Sequence, residues 1–103
     1  MKVKLEFQYF DECPNHKKMY ENLLYAIKDI EDKIEFNLIL VKDQLKAKQI
    51  GFRGSPTLLI DGEDFEGLPE PENPNLSCRF YINGIPSPDE IRKKIIQKIN
   101  KED

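Results

Sequence analysis

Long apolar runs, a surplus of one charge and an abundance of cysteine are all missing from this chain of 103 residues. No stretch of membrane-spanning length is free of charge. The opening residues, MKVKLEFQYF, alternate as a strand does and do not form the apolar centre of a leader. Neither a signal peptide nor a membrane span is therefore expected, and a cytoplasmic location is the expectation that follows. The 16 basic and 19 acidic residues are well mixed and leave a net charge of −3. With no basic stripe to collect phosphates, nucleic acid is not an expected partner. Internal repeats and low-complexity segments are also lacking. At 39% hydrophobic content the chain is long enough for one core and too short for two, so a single domain over residues 1–103, acting as a monomer, is expected. Cysteine occurs only at Cys13 and Cys78. In a reducing compartment both would ordinarily be thiols, which favours a catalytic, redox or metal-binding use over a structural staple.

What is present is concentrated at Cys13-Pro14-Asn15-His16, which follows the strand-like residues 2–10 and precedes a helical stretch. Pro14 has no backbone N–H to lose and a backbone angle suited to a helix start, so Cys13 falls at the N-cap or beside it. The unpaired N–H groups and positive dipole end of that helix favour thiolate over thiol, lowering a cysteine pKa from about 8.5 into roughly the 3.5–7.5 range. Cys13 is thus expected to alkylate faster than Cys78. His16 lies one turn on, on the same helix face, where it can partner the thiolate. The plainer alternative makes Cys13 a small buried residue and His16 an ordinary surface histidine.

Along the chain, residues 2–10 place Val3, Leu5, Phe7 and Tyr9 on one face of a strand and Lys2, Lys4, Glu6 and Gln8 on the other. From 14 to 30, Tyr20, Leu23, Leu24, Ile27 and Ile30 recur at the spacing of a buried helix stripe. Residues 34–41 are an apolar run suited to a strand, and its place after the helix predicts a parallel βαβ crossover. Asp43 caps a short helix that Gly51 ends. A strand over 57–60 then turns at Asp61-Gly62 into a return strand over 63–66. Residues 67–75 read as a surface loop, and 76–82 as an extended piece without a legible partner. Ser87-Pro88-Asp89-Glu90 has the capping-box form, with Ile91, Ile95, Ile96 and Ile99 on the buried side of a closing helix.

The predicted order, β-α-β-α-β-β-α with a reactive cysteine between the first strand and first helix, resembles the thioredoxin fold: an α/β domain with a central mixed sheet of about four strands and flanking helices. The resemblance aligns Cys13-Pro14-Asn15-His16 with the Cys-x-x-Cys motif, histidine standing for the second cysteine, and Ser55-Pro56-Thr57 with the cis-proline segment. More narrowly, the segments Tyr9-Phe10-Asp11-Glu12-Cys13-Pro14-Asn15-His16, Phe52-Arg53-Gly54-Ser55-Pro56-Thr57 and Leu76-Ser77-Cys78-Arg79-Phe80-Tyr81 resemble small bacterial and archaeal thioredoxin-like proteins labelled alkylmercury-lyase-like. The likeness implies that Cys13 and Cys78 match the two thiols of organomercurial lyases and act together, with His16 where those enzymes have an aspartate.

The leading expectation is a thioredoxin-like thiol-dependent oxidoreductase, with catalytic Cys13 as nucleophile, His16 as thiolate partner or proton donor, and Cys78 as resolving thiol. Pro14, Ser55 and Pro56 are expected to bind substrate, a protein or small molecule carrying a thiol or disulfide, and no cofactor is expected. An alternative makes Cys13 and Cys78 ligands to a soft metal such as mercury, extending to a lyase on mercury compounds. Another makes the fold a non-catalytic module that binds extended peptides beside Pro56. Cys78 can equally be read as a buried strand residue, and Arg53 and Arg79 are expected on the surface.

Overall fold

In the computed structural model, which describes residues 2–102, alternating burial along the first strand sets up everything else. The expected domain over 1–103 exceeds those residues by one at each end. Strand β1 (Val3–Tyr9) turns Val3, Leu5 and Phe7 into the core, as the period-two pattern predicts. Helix α1 (Asn15–Ala26) follows, then a single 3₁₀ turn (Glu31–Lys33), strand β2 (Ile34–Leu40), helix α2 (Gln44–Ile50), strands β3 (Thr57–Ile60) and β4 (Glu63–Asp64), and helix α3 (Pro88–Glu102). The four strands form one sheet in the order β2-β1-β3-β4. β2 runs parallel to β1, the two joined through α1 as the crossover predicts; β3 is antiparallel to β1, and β4 to β3.

Helices α1 and α3 pack together over one face of the sheet. Met19, Leu23 and Ala26 from α1 and Ile91 and Ile95 from α3 meet Leu5, Phe7 and Leu58 in the main core. Buried Asn22 donates to the Pro86 carbonyl at 2.9 Å and fixes the approach of α3. A smaller cluster of Val41, Ala47 and Phe52 lies around α2. That helix begins where Asp43 accepts from Lys46 N and ends at Gly51, whose φ of +64° is the left-handed value a C-cap glycine supplies.

Four details depart from the sequence pattern. Gln8, expected on the polar face of β1, is fully buried, its amide donating to Glu6 at 2.5 Å. In α1, Leu24 is exposed while Met19 is buried, and the helix stops at Ala26. The return strand is two residues long, not four, because the Asp64 carboxylate accepts from Glu66 N and Leu68 N and turns the chain. Residues 76–82 form no named strand and join the sheet region by one parallel bridge, Ser55 to Cys78. Among the described residues no helix is long and apolar enough to cross a membrane.

Candidate functional site

At the end of β1 the chain turns tightly, Cys13 N donating to the Phe10 carbonyl at 3.1 Å. Pro14 is the N-cap of α1, with φ −67° and ψ −23°, and Cys13 sits immediately before it. The proline is exposed, but the cysteine is only 1% exposed. His16 is buried as well, not on the surface. Its ring stacks on Tyr9 at 4.9 Å between centroids, and Nε2 lies 3.9 Å from the exposed Asp11 carboxylate. Among the described residues no hydrogen bond joins His16 to the Cys13 sulfur. A cleft of about 260 Å³ is lined by Tyr9, His16, Tyr20 and Leu38, among others.

Cys78 is bonded to Cys13 by a disulfide across 65 residues of sequence, with the Cα atoms 5.6 Å apart. That separation lies inside the roughly 4.4–6.8 Å that disulfides span. Cys78 is exposed and lies in an irregular segment, so the alternative of a buried strand residue is set aside.

Ser55 is the joint that brings the two cysteines together. Its N–H donates to the Ser77 carbonyl at 2.8 Å, and its own carbonyl accepts from Arg79 N at 2.8 Å, clasping Cys78 from both sides. Its hydroxyl accepts from Phe10 N at 2.9 Å, and Phe10 in turn anchors Cys13. One fully buried serine therefore ties the end of β1 to the Cys78 segment. The Ser55–Pro56 peptide bond is cis, and the Pro56 carbonyl accepts from the Tyr81 hydroxyl at 2.8 Å. Ser55 and Pro56 were expected to face substrate. Both are buried, Ser55 fully, and the Ser55 backbone is paired to the residues on either side of Cys78.

The anchor of that segment is an ion pair that the sequence pattern does not reveal. Arg79, expected on the surface, is buried. Its guanidinium makes two 2.6 Å hydrogen bonds to the Asp64 carboxylate, approaches Glu66 and Thr57 Oγ1 at 3.4 Å, and lies 4.5 Å from the centre of the Tyr81 ring. Burial alone would push the Asp64 carboxyl up, but hydrogen bonds from Arg79, Leu68 N and Glu66 N, with the Arg79 charge, hold it below its ordinary value. Burial raises the Tyr81 hydroxyl well above its usual range, keeping it a donor to Pro56. Gly54, at φ +102°, lies so close to this segment that a Cβ there would come within 2.9 Å of Arg79 Cβ. Arg53 lies nearer the surface than Arg79 and donates through Nε to the Leu68 carbonyl at 2.8 Å.

The arrangement therefore holds two sulfurs in bonding contact, one on a buried residue at a helix start and one on an exposed residue. No protein-family model matches the chain, and no curated protein matches it. Among solved structures, HBP35 of Porphyromonas gingivalis is similar at a TM-score of 0.64 and 19% identity over 97% of this chain. This chain spans 33% of the length of that structure. The likeness is one of fold, and this neighbour is thioredoxin-like, consistent with the mixed α/β architecture of a four-stranded mixed sheet and three helices.

Proposed function

We propose that this chain is a thioredoxin-like thiol–disulfide oxidoreductase whose working couple is Cys13–Cys78. The observation that supports the reading most directly is the disulfide itself. It joins a cysteine at a helix start to a second sulfur 65 residues away, where a Cys-x-x-Cys protein has its partner three residues on. His16 holds the second motif position but cannot resolve a mixed disulfide; Cys78 can. The partner is a protein or small molecule bearing a thiol or disulfide. His16, stacked on Tyr9 and facing Asp11, serves as a proton donor or acceptor once the sulfurs separate. Insulin reduction by dithiothreitol, followed as turbidity, should accelerate with the wild-type protein and fall to the background rate with either Cys13→Ser or Cys78→Ser. No acceleration by the wild type, or full activity in both variants, would remove the reading.

A second reading is supported by the 5.6 Å Cα separation, which would let the reduced pair share one soft ion. In that proposal the chain binds mercury, or acts on mercury compounds as the organomercurial lyases do. Native mass spectrometry of the reduced protein titrated with mercuric ion tests it: one ion per chain, lost in either serine variant, is the expected result.

A further inference from the structure

The two halves of the disulfide are not equally open. Cys13 is 1% exposed, whereas Cys78 belongs to a segment in which exposure alternates residue by residue. Arg79 and Tyr81 are buried; Cys78, Phe80 and Ile82 are exposed, the last two at 81% and 87%. Phe80 and Ile82 are thus large apolar side chains held out in water within four residues of the open sulfur. The segment cannot fold them inward, because the buried Arg79–Asp64 pair and the Tyr81–Pro56 hydrogen bond fix the opposite face.

From this asymmetry we infer that exchange begins at Cys78, and that the thiol which attacks it belongs to a partner with apolar side chains flanking its cysteine, received by Phe80 and Ile82. The inference rests on the redox reading above and assigns its order and its partner class. A partner thiolate bonds to Cys78 Sγ, the S–S bond breaks, and its electron pair leaves on Cys13 Sγ as a thiolate. A second partner thiol attacks the mixed disulfide at the partner's own sulfur, releasing Cys78. The partner loses two electrons and becomes a disulfide, and the protein gains them as two thiols whose protons come from the two partner thiols. Exchange is faster when the leaving thiolate is the more acidic one. Cys13 suits that role because it precedes the positive end of α1. Run backwards, the same path makes Cys78 the attacking thiol and Cys13 the resolving one. This reverses the roles expected from the motif alone, and burial is the reason.

Two measurements decide it. Single-cysteine variants are treated with oxidised glutathione at neutral pH and mixed-disulfide formation is followed by mass spectrometry. Cys13→Ser, which retains Cys78, should react at least about tenfold faster than Cys78→Ser. Equal or inverted rates overturn the order of attack. The oxidised wild-type protein is then reduced in parallel with glutathione and with the tripeptide Leu-Cys-Leu. The apolar thiol should be faster by about fivefold, a difference that contact with one or two apolar side chains can supply. That ratio should fall to near one in Phe80→Ser/Ile82→Ser, and a ratio unchanged by the substitutions overturns the docking face. A wild-type disulfide that neither thiol reduces without denaturant sinks the redox reading, and this proposal with it. A disulfide that is reduced, but through Cys13, sinks only the order.

Discussion

Arg79 shows how far a single residue can differ from its sequence-based expectation. Cys13 and Cys78, which the structure joins, stood out because a thiol beside a proline helix start, and a second thiol elsewhere, are local chemical facts. Arg79 was not, because its burial depends on Asp64, 15 residues away on a strand shortened by that same carboxylate. The side chains of Arg79 and Asp64 are only 4% and 1% exposed, so removing one leaves the other charged and desolvated. Arg79→Leu should therefore lower the unfolding free energy by about 3–5 kcal/mol, measured by urea denaturation. It should also loosen the Cys78 segment that this residue anchors. The pair makes stability pH-dependent with a definite sign. Asp64 is held below its ordinary value in the folded chain, so its contribution is complete above the ordinary carboxylate range and is lost as pH falls through the depressed folded value. Urea midpoints taken from neutral pH down into that acidic range should fall for the wild type. Asp64→Asn should start weaker at neutral pH and fall less.

At the scale of elements, success and failure both follow from how local the signal is. Helix α2 matches its predicted bounds because Asp43 and Gly51 act on their own backbone neighbours. Helix α3 begins as its capping box requires: Ser87 Oγ accepts from Glu90 N at 3.1 Å, and Glu90 Oε1 accepts from Ser87 N at 3.3 Å. Ser87→Ala should cost about 1 kcal/mol in thermal or urea unfolding, because it leaves the Glu90 N–H without that acceptor. Helix α1 is the informative failure. Ile27 and Ile30 are buried as the spacing predicts, yet they lie in turns beyond Ala26, whose carbonyl accepts from Arg92 on α3. Apolar spacing placed Leu23, Ile27 and Ile30 against the core but not Leu24, which is exposed, and it does not record where tertiary partners take over the helix end. The path of residues 76–82 was illegible for the same reason. Its organising contacts, Ser55 on the backbone and Asp64 on the side chain, are both far away in sequence.

Across the whole molecule, the disulfide closes the chain between the end of β1 and the segment leading to α3, a separation of 65 residues. Constraining the unfolded chain over a loop of that length stabilises the native state by about 4 kcal/mol on the chain-entropy account. At about 4–8 °C per kcal/mol for a domain of this size, reduction should lower the midpoint of thermal unfolding by roughly 15–30 °C. The redox cycle proposed for Cys13 and Cys78 adds a second demand, that the reduced chain still fold. The contacts around Cys78 meet it without the sulfur bond: Ser55 clasps the backbone on both sides, Arg79 is paired in the interior, and Tyr81 is packed in the main core. These hold the two thiols near each other and let the bond re-form without a search through open loop conformations. Scanning calorimetry with and without dithiothreitol should therefore give two cooperative transitions at different midpoints, and Cys78→Ser should coincide with the reduced wild type under both conditions. If reduction instead abolished the cooperative transition at room temperature, the disulfide would be a staple that the fold cannot release. A catalytic cycle through Cys13 and Cys78 would then be impossible.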